Sequence, residues 1–195
     1  MNKFYIIIFS CIFSLIGIGV YYFGFYQKDT SYFPKNITLV DDQDHSFSLT
    51  GQPKKYRLVE FVYLNCADIC PSTTYKMEKL RDHLQAKKVF PSKIEFITMT
   101  IDPKRDNTNQ LQKYAQTFQM HKTNGWHILR GSEKDTKKIT EKLQFMYRDA
   151  GGGMLVHTTQ TYLIDPKGNV VDRFGMGENG FKTNDVQNQI LKTVQ

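Results

Sequence analysis

Residues 56–64, YRLVEFVYL, constrain the chain most. Leu58-Val59 and Phe61-Val62 place apolar side chains on both faces of one strand, which marks a strand in the middle of a sheet with cover on either side. The cover follows in sequence. From Pro71 to about Lys87, Met77, Leu80 and Leu84 recur at helical spacing, with Lys76, Lys79, Arg81 and Asp82 on other faces. Pro71 suits a first helical turn, where no amide hydrogen is required. Residues 93–101 read as a second strand. Residues 107–120 read as a helix carrying Leu111, Tyr114, Ala115 and Phe118, and residues 126–129 as a short strand. Ser132 caps a further helix with Ile139, Leu143 and Met146 on one face. After Gly151-Gly152-Gly153, residues 157–164 and 170–174 flank a turn at 165–169 and form an antiparallel hairpin. Residues 183–193 are a terminal helix. Ahead of the central strand, residues 37–40 and 46–49 flank an acidic turn as another hairpin.

Strands joined by helices run parallel, and the last hairpin adds an antiparallel edge. The expected fold class is therefore α/β. A sandwich with cysteine at the first strand–helix junction has the thioredoxin-like layout, here with an N-terminal β-hairpin. Basic residues occur as singles and pairs among acidic ones despite a net charge of +7, so no nucleic-acid stripe is present.

Residues 4–26 carry no charged side chain. As a helix they span about 34 Å, enough for a hydrocarbon layer of about 30 Å. The expectation is an N-terminal membrane anchor over 1–27, a linker over 28–36 and a single domain over 37–195. Such a chain sits in the cell membrane with its domain on the extracytoplasmic side. A cleaved leader would have a shorter apolar core and a small-residue site at its end.

Of three cysteines, Cys11 lies in that apolar segment, which leaves Cys66 and Cys70 in CADIC as one pair. Spacing alone leaves four readings open: a disulfide, a redox couple, a metal clamp or two buried thiols. The position favours chemistry. Cys70 is expected at the start of a helix, where exposed amides and the dipole stabilise a thiolate. Three intervening residues, one more than in a CxxC motif, leave room for an ion. Two thiolates suit Cu(I), and an added imidazole suits Cu(II). Among five histidines, His45, His83, His121 and His127 read as surface or packing residues. His157 opens a strand after a glycine-rich loop and is the candidate third ligand. Gly175 to Gly180 spells GxGxxG, but too little chain follows for a nucleotide-binding unit, so it reads as a turn. Met154 and Met176 are soft sulfurs that read as packing or loop residues.

Three segments together resemble the Sco/SenC family. They are Val62 to Pro71 with Met77 downstream, Thr100 to Asp106, and Val156-His157-Thr158 leading to Tyr162 through Gly168. The resemblance implies a thioredoxin-like domain that binds copper, as Cu(I) or Cu(II), and helps assemble the dinuclear copper centre of cytochrome c oxidase. The implied partner is the copper-bearing subunit of that oxidase. The implied ligands are Cys66, Cys70 and His157, with Asp102 as a nearby acidic group that acts by hydrogen bonding and charge. The rival reading is a thiol–disulfide oxidoreductase that keeps the oxidase's cysteines reduced, with Cys66 and Cys70 as its redox pair. Two positions depart from the family pattern. Ala67 stands where proline is common, and Val156 where an acidic residue often precedes the histidine; loss of that carboxylate is expected to weaken support of the imidazole.

Overall fold

The computed structural model describes residues 3–25, 32–34, 36–48 and 52–194. The chain divides into two units, Met1–Thr30 and Ser31–Gln195. The first contains helix α1 (Lys3–Phe25). Its Phe9, Phe13, Leu15, Ile16, Ile18 and Val20 are exposed. Among the described residues, no helix is long and apolar enough to cross a membrane. The helix expected near 4–26 is thus present, while its crossing of a bilayer is not shown. Of the expected linker, residues 28–31 and 35 lie outside the described residues. Tyr32 and Phe33 already belong to the second unit: Tyr32 bridges Asn169, and the buried Phe33 donates its amide to Gly168 O at 2.8 Å.

The second unit is built on a seven-stranded sheet. Its strands are β1 (Leu39–Asp41), β2 (Ser46–Phe47), β3 (Tyr56–Val62), β4 (Ile94–Thr100), β5 (Trp126–Arg130), β8 (Gln160–Ile164) and β9 (Val170–Gly175), in the order β2-β1-β5-β4-β3-β8-β9. β3, β4 and β5 are parallel, with Val62 opposite Thr100. β8 pairs antiparallel with β3 and β9, and β1 closes the other side against β5. The expected hairpin at 37–49 forms over β1 and β2; Leu49 lies outside the described residues. β3 is central and buried along almost its whole length, as its apolar pattern requires.

Helices α2 (Ile69–Ala86), α3 (Thr108–Thr117), α4 (Glu133–Lys142) and α6 (Thr183–Thr193) complete the layers. One core sets Leu58, Phe96 and Ile128 with Met77, Leu80, Leu111 and Ile190; the other sets Val59, Phe61 and Ile97 with Ile139, Leu143 and Phe145. Each such aliphatic side chain contributes about 1.5–3 kcal/mol by leaving water.

Local signals explain the helix ends. Asn107 caps α3 in a reciprocal box with Gln110. Ser132 caps α4 through the Asp135 amide. α4 stops at Lys142 because Gln144 turns left-handed (φ 57°), with Phe145 N bonded to Thr140 O and Gln144 N to Glu141 O. That ending corrects the expectation for Met146, which leaves the helix face and is 77% exposed. Sequence reading also missed a second, two-stranded sheet. β6 (Tyr147–Gly151) and β7 (Met154–His157) form a hairpin whose turn glycines Gly151, Gly152 and Gly153 all have positive φ. His157 ends β7 rather than opening the strand that follows. The GxGxxG segment holds a one-turn helix, α5 (Gly177–Gly180), with Met176 buried beside it.

Candidate metal centre

The centre lies where β3 hands over to α2. Helix α2 begins at Ile69, two residues before Pro71, so Cys70 falls inside its first turn and is fully buried. Cys66 remains on the loop, half-buried. The Cys70 amide, one of the unpaired donors of the helix start, points back to Cys66 Sγ at 3.4 Å. The sequence expectation of a helix-stabilised thiolate therefore applies to the other cysteine. Cys66 is pushed far below the usual thiol range by its hydrogen bond from Cys70, which outweighs burial, with help from His157 and the Cys70 and Asp68 backbone. Cys70 is pushed up by the same hydrogen bond, by burial and by the charge of Cys66. The two sulfurs lie side by side with opposite tendencies, Cys66 toward the thiolate and Cys70 toward the thiol.

His157 arrives from β7. Its Nε2 is 3.9 Å from Cys70 Sγ, and the ligand atoms of Cys66, Cys70 and His157 lie within 4.8 Å of one another. Among the described residues this is the one cluster of three or more such donors. His157 Nδ1 is 2.8 Å from the Thr158 carbonyl. A carbonyl only accepts, so Nδ1 carries the hydrogen and the neutral ring presents the lone pair of Nε2 to the sulfurs. Burial opposes protonation of His157, but Cys66 and the Thr158 carbonyl outweigh it and raise its pKa. The Phe145 ring stacks on the imidazole at 5.7 Å and 18°, and Tyr63 meets it edge-on at 5.8 Å. These aromatic neighbours hold the ring plane without competing for its nitrogen.

The remaining histidines stand elsewhere. His121 contacts Asp42, His45 contacts Asp41, His83 contacts Gln187, and His127 packs on Phe47. Asp102 pairs its side chain with Arg105, and its amide donates to Thr100 Oγ1 at 2.9 Å. Its path toward the centre runs through Arg105: Nη1 of that residue, and Asn65 Nδ2, would lie 3.2 Å and 3.3 Å from a Cβ at Gly153, in the turn of the His157 hairpin. Asn65 Nδ2 donates to Gly153 O at 3.3 Å. Val156 is exposed while Leu155 is buried, so residue 156 faces away from the imidazole side of β7. The Thr158 carbonyl holds the ring at Nδ1. Sequence reasoning assigned no role to Phe145, Tyr63 or Thr158, the three residues that hold the imidazole.

A parallel αβ core with a Cys–Cys–His cluster at its first strand–helix junction defines a thioredoxin-like domain, and that set of donors is able to hold a soft ion or, through its sulfurs, to form a disulfide. The SCO1/SenC family model matches residues 27–194. The chain belongs to the SCO1/SenC family. It is 32% identical over 145 residues to a SCO2-like protein of Rickettsia conorii, covering 71% of this chain and 67% of that one. It is 26% identical over 146 residues to the SCO1 protein homolog of Bacillus subtilis, covering 73% and 74%. Among solved structures, a SCO1/SenC family lipoprotein from Bacillus anthracis matches with a TM-score of 0.74 at 23% identity, covering 85% of this chain and 96% of that one. Yeast Sco1 with copper bound matches with a TM-score of 0.67 at 23% identity, covering 81% and 86%. At such identity these structures speak for the fold.

Proposed function

We propose that this protein binds copper through Cys66, Cys70 and His157 and delivers it to the dinuclear centre in the copper-bearing subunit of cytochrome c oxidase. One observation carries the reading: three soft or borderline donors lie within 4.8 Å, with the imidazole already turned to offer Nε2. Two thiolates and one imidazole suit copper in either oxidation state, and among the described residues the cluster has no fourth ligand for structural zinc. Asp102 acts at a distance, by holding Arg105 against the hairpin turn. Family membership supports the oxidase as destination, and the apolar side chains exposed along α1 support attachment to the cell membrane, with the domain outside the cytoplasm as the sequence reading expects.

The same sulfurs favour a second role. An anionic Cys66 beside a protonated, buried Cys70 is an attacking thiolate with its partner in reach. BsSco, a Sco family member of the same fold, carries a disulfide switch. Disulfide formation removes both sulfur ligands, so the two roles alternate on one pair.

Anaerobic copper titration of the reduced protein tests the reading. A thiolate-to-copper absorption band is expected with Cu(II), lost in Cys66→Ala. His157→Ala is expected to weaken Cu(II) binding more than about tenfold while the cysteine pair still forms a disulfide. Unchanged Cu(II) affinity and spectrum in His157→Ala would remove His157 from the ligand set.

A further inference from the structure

Asp106 is a buried acid that neither the ligand set nor the neighbouring helix uses. It is 3% exposed and lies directly before α3. Asn107 caps that helix in its reciprocal box with Gln110, so the Asp106 side chain has no capping duty. The Asp106 amide donates to the Asp102 carbonyl at 2.9 Å, closing the turn that follows β4. Its carboxylate reaches the ends of β3 and β4. There one oxygen, Oδ2, accepts two bonds, from the Leu64 amide at 3.2 Å and from the Thr100 hydroxyl. Thr100 Oγ1 in turn accepts from the Asp102 amide at 2.9 Å.

Leu64 is the second residue of the turn that delivers Cys66. Beyond β3 the chain reverses over Tyr63–Cys66, and the Cys66 amide donates to the Tyr63 carbonyl at 3.1 Å. The amide of the second residue has no acceptor within such a turn, and a part-buried amide needs one. Asp106 supplies it. The third residue, Asn65, is held from the other side, through its bond to the Gly153 carbonyl in the hairpin that carries His157. Arg105, next to Asp106 in the chain, lies against the same glycine. Residues 102–106 thus join the turn that bears a sulfur to the hairpin that bears the imidazole.

The two sulfurs do not need this brace to meet. They sit four residues apart, and the Cys70 amide points to Cys66 Sγ at 3.4 Å within one segment. The meeting of Cys66 with His157 is long-range and depends on where the turn is fastened.

We propose that Asp106 is a positioning residue whose bond to the Leu64 amide sets the turn from which Cys66 faces His157. The proposal rests on the reading of Cys66, Cys70 and His157 as copper ligands. Loss of Asp106 separates the three-donor site from the two-sulfur site. Cu(II), which takes the imidazole, registers the loss; Cu(I), which two thiolates satisfy, does not. The carboxylate acts as an acceptor, so an amide of the same shape replaces it.

The test titrates reduced full chain anaerobically with Cu(I) and with Cu(II), as wild type, Asp106→Ala and Asp106→Asn. Asp106→Ala is expected to weaken Cu(II) binding about tenfold or more and to shift the thiolate-to-copper band, with Cu(I) affinity within about threefold of the wild type. Asp106→Asn is expected to stay within about threefold of the wild type for both ions. Equal losses of Cu(I) and Cu(II) in Asp106→Ala would make the residue a general support of the fold and overturn the proposal. So would an Asp106→Asn variant as impaired as Asp106→Ala. Should Asp106→Ala fail to fold, the copper-free wild type supplies a second readout. Its Leu64 amide is expected to exchange hydrogen as slowly as the amides of β3, and exchange at the rate of an open turn would overturn the bond. Absence of copper binding by the wild type would overturn the ligand reading and the proposal with it. The amide readout, which needs no metal, tells that failure from a failure of Asp106 alone.

Discussion

A carboxyl group shielded from water holds its proton more tightly in the folded chain than in the unfolded one. For Glu60 burial raises the value from 4.5 to about 7. Between these values the folded chain keeps a proton that the unfolded chain has lost. Its stabilising contribution is complete below the unfolded value and declines as pH rises through the folded one, by about 1.4 kcal/mol per pH unit. Urea unfolding should therefore show the wild type losing up to about 3 kcal/mol relative to Glu60→Gln between about pH 4.5 and 7, with no further divergence above. A constant difference across that range would place the proton elsewhere. At this scale, Cys66 and Cys70 were legible from their spacing and His157 from its strand end and the family resemblance. Which of the two sulfurs the helix start favours as thiolate was not. It depends on α2 starting at Ile69, a two-residue shift that apolar periodicity cannot resolve. The role of residue 156 was equally hidden, because it follows from which face of β7 looks inward.

The β6–β7 hairpin is the element that sequence reading did not find. Tyr147–Gly151 is a mostly exposed strand of YRDAG, without the alternation of apolar residues that identifies a half-buried strand. What sets it is pairing: Thr158 and Met146 exchange bonds, Thr158 N to Met146 O at 2.8 Å and Met146 N to Thr158 Oγ1 at 3.0 Å. Three left-handed glycines then turn the chain, as only glycine does readily. Gly153 has φ 82° and sits against Asn65 and Arg105. Gly153→Val adds backbone strain of roughly 1–3 kcal/mol and displaces both neighbours from the turn. We expect it to weaken Cu(II) binding as a partial copy of His157→Ala, with disulfide formation unaffected. Copper spectra matching the wild type would show that the hairpin turn does not position the imidazole.

At the scale of the molecule, the strand–helix alternation made the parallel centre of the sheet and its antiparallel additions legible, because β3 has only one kind of place in a fold: the middle. Domain limits were less so. Phe33 and Tyr32 join the globular unit ahead of the hairpin that marked its start, held by a backbone contact that no composition signals. A chain beginning at Ser31 is expected to fold and bind copper as the full chain does, while membrane-pelleted protein falls to background once residues 1–30 are gone. Pelleting that persists would place membrane attachment on the globular unit. The three donor side chains come from two sheets of unequal size. The sulfurs are rooted beside the seven-stranded sheet and its helices, the imidazole in a pair of short strands. Opening the pair breaks far fewer contacts than unfolding the domain. On the copper reading proposed above, opening that hairpin would withdraw the imidazole and leave both sulfurs in place, so holding and handing over the cargo would differ by the position of one short pair of strands.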